Sequence, residues 1–281
     1  MSEERLLPFR QLYADLLMAP LKGPAVERLR DAFRSIPRER FLGPGPWRIF
    51  TDGGYVVTPS DDPALIYQDL VVALSAEQGI NNGEPSLHAR SLMALDPRPG
   101  ETVTHVGTGT GYYTAILAHL VGPEGAVHGI EIDAPLSRRA AGLLADRPNV
   151  TIHNRSGASG PLPPSDVIYV NAGATHPAEA WLEALRPGGR LLFPLTPDKG
   201  WGGMLLIEAG TRGFEAEFVT PAMFIACQGL REAEAAQRAR QAFARGDAVK
   251  VRSLRRGIPP DESCWLAWEG GWLSTAPLAA A

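Results

Sequence analysis

Apolar positions follow two successive rhythms along the 281-residue chain. Over residues 4–35 they recur near helical spacing: Leu6, Phe9, Leu12, Tyr13, Leu16 and Leu17, then Val26, Leu29 and Phe33 beyond Pro20 and Pro24. Pro37 stops the pattern. Residues 42–63 are rich in Gly, Pro and Asp with few periodic signals, and read as a long loop or extended arm. Loops of that length in compact domains tend to be functional.

From about residue 85 the rhythm becomes a regular alternation of strand and helix. Pro85 opens a helix carrying Leu87, Leu92 and Leu95. Residues 101–106 form a short β-rich run that ends in glycines. Tyr113, Ile116, Leu117, Leu120 and Val121 make a helical stripe over 112–121. A strand over 126–132 precedes a helix with Leu136, Ala140, Leu143 and Leu144 on one side. Further strands are predicted over 150–153, 166–171 and 190–194. A helix opened by Pro177 lies before the last of these and ends in a turn at 186–189. Such alternation argues for βαβ units and a parallel sheet covered by helices.

After residue 200 the runs 204–208, 214–220 and 222–227 are strand-like and closely spaced, as in antiparallel pairing. A polar, Ala-rich helix is expected over 231–245, and final strands over 248–254 and 263–274 with a Gly270-Gly271 turn. The expected organisation is an N-terminal helical segment and arm (1–84), a core (85–228) and a C-terminal helix with short strands (229–281).

Composition narrows the function classes. Apolar residues are 44% and charged residues 21%, enough for a full core and too balanced for global disorder. The net charge of −4 gives no basic footprint for nucleic acid. Two cysteines exclude a disulfide framework and a cysteine-based zinc site, and the six histidines show no ligand spacing, so no metal is expected. Residues 1–10 carry Glu3 and Glu4 without a long apolar run, and no stretch approaches the ~20 apolar residues of a membrane span. A soluble, cytoplasmic protein is expected.

The chemistry concentrates at Gly107-Thr108-Gly109-Thr110-Gly111-Tyr112, between a predicted strand and a predicted helix. Glycines let backbone approach a ligand, and the helix start offers free N–H groups to a nucleotide-like cofactor. The spacing is neither that of a dinucleotide fingerprint nor that of a P-loop. Glu131 closes the next strand, 24 positions after Gly107, where an acid accepts hydrogen bonds from ribose hydroxyls.

These residues, with Leu185-Arg186-Pro187-Gly188-Gly189-Arg190-Leu191, resemble class I S-adenosylmethionine-dependent methyltransferases. The closer resemblance is to protein-L-isoaspartate O-methyltransferases. Ile36-Pro37-Arg38-Glu39-Arg40-Phe41, Ile66-Tyr67-Gln68-Asp69 and Asn82-Gly83-Glu84-Pro85-Ser86-Leu87-His88-Ala89 follow that family's early segments in order. The resemblance covers roughly residues 36–210. It implies a Rossmann-like α/β fold with a seven-stranded, mostly parallel sheet and helices on both faces. N-terminal helices and a small C-terminal α/β extension would flank it. It further implies S-adenosyl-L-methionine as cofactor and methyl transfer to a carboxylate of an isoaspartyl residue. The implied cofactor residues are His88, His105, the loop residues Gly107, Thr108, Gly109, Thr110, Gly111 and Tyr112, then Glu131, Ile132, Ser156, Gly157 and Asn171. Asn81, Asn82, Gly83 and His176 are the implied acceptor-side residues.

Three positions depart from the family pattern. His105 stands where the family has an acid, and is either a substitute cofactor contact or a packed strand-end histidine. Ser156 stands where an Asp contacts the adenine. Gly83 stands where a serine precedes x-Pro, which points to a changed acceptor site. A carboxylate acceptor is ionised at pH 7 and needs no general base, so no catalytic residue is assigned. The alternatives are a methyltransferase acting on a small molecule or biosynthetic peptide, and a non-catalytic binding protein that kept the fold.

Overall fold

The computed structural model describes residues 3–279. The N-terminal helical pattern resolves into α1 (Glu3–Met18), α2 (Val26–Ser35) and α3 (Arg38–Leu42). In α2 the residues Leu29, Ala32 and Phe33 are buried, so the helix has one inward face and one charged face. The expected loop over 42–63 is corrected: it contains the antiparallel hairpin β1 (Arg48–Thr51) and β2 (Gly54–Val57). Both strands are largely exposed, with Phe50 53% and Val56 57% accessible, so no alternation of burial marks them. Two short strands follow, β3 (Ala73–Ser75) and β4 (Ile80–Asn81), and then α4 (Pro85–Leu95) with Pro85 in its first turn.

The strand–helix alternation is present over its expected range. It comprises β5 (Thr102–Val106), α5 (Tyr112–Val121), β6 (Ala126–Glu131), α6 (Ala134–Leu143), β7 (Val150–Asn154), β8 (Ser165–Val170), α7 (Glu179–Ala184) and β9 (Leu185–Leu195). The turn expected at 186–189 is instead an irregularity inside β9. Leu185 pairs with Ser165 and Arg190 with Val167 on either side of it, and Gly188 has φ 79°. Then come β10 (Gly202–Gly210), β11 (Gly213–Ala222), α8 (Ala233–Ala244), β12 (Ser253–Arg256), β13 (Cys264–Trp268) and β14 (Gly271–Ser274). The strand expected over 222–227 is also corrected. Beyond Ala222 it is reduced to one parallel bridge between Gly173 and Ala226.

The chain folds as two compact units. One holds residues up to Glu101 together with Thr108–Arg155; the other holds Thr102–Gly107 together with the chain from Ser156 onward. In the first unit β6 and β7 pair in parallel, from Val127↔Val150 to Glu131↔Asn154. In the second unit the strand order is β13-β14-β12-β11-β10-β9-β8-β5. There β5, β8 and β9 are parallel, and the pairs from β9 outward are antiparallel. Val167, Ile168, Tyr169 and Val170 of β8 are all fully buried, as a central parallel strand covered on both faces requires. The fold is the Rossmann-like α/β plan. Strands β5 to β11 supply the seven expected of it, and β12 to β14 continue its antiparallel end. Among the described residues no helix is long and apolar enough to cross a membrane.

Candidate functional site

The three loop glycines all have left-handed backbone: φ is 78° at Gly107, 57° at Gly109 and 99° at Gly111. Only glycine adopts such conformations without a steric cost. A Cβ at Gly107 would press on the Asn171 backbone at 3.2 Å, and one at Gly109 on Leu74 at 3.3 Å. Gly111 is the N-cap of α5 and, having no side chain, brings no side-chain cap to the start of that helix. Thr108 and Thr110 are buried within the turn. Tyr112 turns away from it into the first unit's core, against Phe33, Phe41 and Tyr113.

Glu131 couples the loop to the next helix. Its Oε2 accepts from the Gly109 N–H at 2.7 Å and its Oε1 from the Asp133 N–H at 2.9 Å. Asp133 in turn caps α6 by accepting from the Leu136 N–H. Burial pushes the Glu131 carboxyl above its usual range, against the lowering by those backbone N–H groups. Each carboxylate oxygen keeps a second lone pair, so the acid can hold the loop and still accept ligand hydroxyls. Ile132 beside it is 45% exposed, an apolar surface next to the acid.

The early motifs form one buried network in the same unit. Arg38 is fully buried and donates to the carbonyls of Ile66, Gln68 and Leu70 and to Asn82 Oδ1. Asn82 Oδ1 also accepts from the Val72 N–H, while its Nδ2 is buried without a partner. The Tyr67 hydroxyl accepts from Arg10 Nε at 2.8 Å and donates to Glu39. Asp69 accepts from the Ser86 N–H at the start of α4. Asn81 Oδ1 accepts from the Gly83 N–H. Asn81 and Asn82 thus shape the chain that leads to Gly83. There φ is 75°, and a Cβ would overlap the His88 imidazole, within 2.8 Å of its Cδ2. His88 is 1% exposed and stacks on Tyr113 with ring centroids 3.5 Å apart. The imidazole fills the space that a side chain at position 83 would need.

The remaining expected residues belong to the second unit. His105 is fully buried on β5 and stacks against Tyr169. Its Nε2 lies 2.7 Å from Asn171 Nδ2, and since the amide nitrogen only donates, the ring is the Nδ1-protonated tautomer. Asn171 Oδ1 is buried without a partner, an orphaned acceptor at the carboxyl end of β8. Ser156 Oγ accepts from the Ala158 N–H, and the Gly157 carbonyl accepts from the Trp181 indole at 2.6 Å. His176 packs on Trp268 and sits 3.1 Å from Thr175 Oγ1. Among the described residues no cluster of three or more His, Cys, Asp or Glu could hold a metal.

Burial depresses the His105 imidazole to about 3. The unfolded chain protonates near 6.5, so it takes up the proton first as pH falls. His105 therefore contributes stability above pH 6.5 that is lost as pH falls toward 3, about 2–3 kcal/mol of it by pH 4.5. Thermal melts at pH 7.5 and 4.5 check this. His105→Gln is expected to narrow the gap between the two melting temperatures, and an equal gap in both proteins would show that the ring does not govern the acid limb.

Sequence reasoning assigned no role to Arg38, although its motif was legible. It also passed over Thr196 and Arg231, whose positions depend on pairing between distant segments. Gly173 N–H donates to the Ile225 carbonyl and Cys227 N–H to the Gly173 carbonyl. No local pattern announces those two bonds.

Comparison with known proteins adds to this geometry. A family model described as protein-L-isoaspartate(D-aspartate) O-methyltransferase matches residues 17–229. A protein-L-isoaspartate O-methyltransferase of Ignicoccus hospitalis is 30% identical over 203 residues, 71% of this chain and 88% of the relative. A protein-L-isoaspartate O-methyltransferase 2 of Anaeromyxobacter is 32% identical over 233 residues, 80% of this chain and 86% of the relative. A solved protein-L-isoaspartate O-methyltransferase superposes with a TM-score of 0.66 at 23% identity, covering 90% of this chain and 74% of its own. A structure from Plasmodium falciparum, described as a putative member of the same family in complex with S-adenosyl-L-homocysteine, gives a TM-score of 0.61 at 19% identity, covering 78% and 98%. At these identities the two structures show a shared fold.

Proposed function

Since the chain belongs to the protein-L-isoaspartate O-methyltransferase family and is an S-adenosylmethionine-dependent methyltransferase, we propose that it methylates a carboxylate of isoaspartyl residues in proteins or peptides, through an acceptor site altered at Gly83. The observation that carries the cofactor half is the Glu131 carboxylate, bonded to the Gly109 N–H of the glycine loop that leads into α5. S-adenosylmethionine, when bound, supplies an electrophilic methyl group on a sulfonium.

The residues present fit that cofactor. Gly107 and Gly109 take left-handed backbone that a side chain would strain, and a loop of bare glycines lets its backbone approach a ligand. Glu131 accepts the ribose hydroxyls, and Ile132 offers an apolar surface for the base. His105 acts at one remove, by orienting the Asn171 amide. Its neutrality matters, because a protonated imidazole would oppose the cofactor's positive charge. Ser156 keeps a hydroxyl where the family resemblance expects an acid, and that hydroxyl already accepts from Ala158 N–H.

The acceptor needs orientation and desolvation more than proton transfer. A carboxylate with a pKa near ~4 is already the nucleophile at pH 7. The hydroxyl that the family resemblance places at position 83 is absent, and the buried His88 imidazole fills its space. The acceptor site therefore departs from the family resemblance at Gly83, with no room there for a side chain.

The test is transfer of a labelled methyl group to an isoaspartyl peptide, with the aspartyl isomer as control. Base-labile methyl ester on the isoaspartyl peptide alone is the expected result. Label on neither peptide, but on a small carboxylic acid, would replace this acceptor with a small molecule.

A further inference from the structure

A half-buried cation at the carboxyl end of β8, Arg231, makes no direct ion pair among the described residues. Arg231 follows a segment pinned to the chain beyond β8. Ile225 accepts from Gly173 N–H, Cys227 donates to the Gly173 carbonyl, and the Leu230 carbonyl accepts from both the backbone N–H and the hydroxyl of Thr175. The neighbouring chain is pinned equally, since Ala174 N–H donates to the Pro194 carbonyl and Thr196 N–H to the Ala174 carbonyl. Within this frame Arg231 NH2 donates to Thr196 Oγ1, and Thr196 is 2% exposed. The guanidinium lies over Gly173, where any Cβ would collide with it and with Thr196 Oγ1.

Thr196 is the guanidinium's one hydrogen-bond partner among the described residues, and its Nε is buried without one. No carboxylate among the described residues stands within ion-pair distance; the nearby Asp198 pairs with Arg240 at 3.5 Å. Asp198 acts on the guanidinium only at a distance. A fixed and partly desolvated cation with no direct ion pair is costly, and an incoming anion removes that cost. In open α/β sheets ligands bind outside the carboxyl ends of the strands, which is where Arg231 lies.

We propose that Arg231 is the specificity-determining residue for the methyl acceptor, receiving the acceptor's carboxylate on a guanidinium held in place by Thr196 and admitted by Gly173. The inference rests on the carboxylate-methylating reading above. An ion pair through one carboxylate oxygen leaves lone pairs on the other for attack. Transfer turns the anion into a neutral ester while the sulfonium becomes a neutral thioether, so the product no longer matches the cation and leaves. Burial already presses on the Arg231 charge, which favours occupancy by an anion over an empty state.

The experiment uses the full chain with an isoaspartyl peptide and its methyl ester. Arg231→Met is expected to raise KM, and the peptide Kd measured calorimetrically with S-adenosylhomocysteine present, about 10–100-fold with kcat little changed. Arg231→Lys restores part of this, since an ammonium keeps the charge without the fork. The Kd for S-adenosylhomocysteine alone stays at its wild-type value. The ester should bind wild type as weakly as the acid binds the Met variant. Should Arg231→Met fail to fold, Thr196→Val, which removes the hydroxyl partner alone, shifts KM in the same direction by a smaller factor. KM and peptide Kd within twofold of wild type overturn the inference while the proposed function stands. An isoaspartyl peptide that wild type neither binds nor methylates overturns both.

Discussion

Glu131→Ala is expected to weaken S-adenosylhomocysteine binding by roughly 100-fold, as measured by titration calorimetry near pH 7.5. Hydrogen bonds to a charged acceptor contribute about 1.5–3 kcal/mol, and a ribose makes two of them. The same carboxylate holds the loop through Gly109 N–H and the α6 entry through Asp133 N–H, so its loss also loosens the cradle. Glu131→Gln is expected to do nearly as much harm. Its amide nitrogen must face one of those two N–H donors, and a donor there repels rather than accepts. Folding stability should move little and can even rise at neutral pH. Burial raises the Glu131 pKa, so the folded state binds more protons than the unfolded one above pH 4.5, and the ionised carboxylate opposes folding as pH rises. A large loss of affinity with an unmoved melting temperature separates a ligand contact from a structural one. Unchanged affinity in the alanine variant would remove Glu131 from the cofactor site.

Much of this was readable before any coordinates. The parallel strands are short apolar runs between glycine turns, and β8 shows why, since a strand buried on both faces tolerates no polar alternation. The spacing of Glu131 from Gly107 placed the acid at the end of the next strand, and the structure adds its bond to the Gly109 N–H, because one helix and one strand return the chain beside the loop. The β1–β2 hairpin was missed for a physical reason. Its strands are exposed, so burial imposes no pattern on them, and the remaining signal is the Asp52-Gly53 pair at the turn. Segment 222–227 misled in the opposite direction. It has the apolar content of a strand, yet beyond Ala222 its backbone partner is Gly173, some fifty positions away, through a single bridge. At the site, glycine and acid positions were legible because their roles are local. Those of Arg38 and Arg231 were not, because each is defined by which distant carbonyl or hydroxyl it meets.

Arg38 shows what such a long-range role is worth. Arg38→Met is expected to destabilise the protein by about 3–5 kcal/mol, since one buried and two part-buried carbonyls and the Asn82 side chain lose their donor together. At roughly 2–4 °C per kcal/mol for a chain of this size, the melting temperature should fall by about 10 °C. The damage should be local before it is global. Residues 66–70 hang on the guanidinium, and Asp69 caps the helix that carries His88, so the Asn82–Gly83 turn and the α4 start loosen first. Amide exchange at Val72, Asn82 and Ser86 should therefore quicken more than exchange in β6 and β7. Affinity for S-adenosylhomocysteine should survive below the new melting point, because none of the loop–Glu131 bonds involves Arg38. Turnover of the acceptor should drop well beyond the change in cofactor binding. Arg38→Lys is the informative intermediate: it keeps the charge, but one ammonium on a shorter reach does not serve carbonyls spread over Ile66, Gln68 and Leu70. If the Met variant melts and turns over like wild type, the buried arginine is a passenger, and the family's early motifs owe their order to something other than this network.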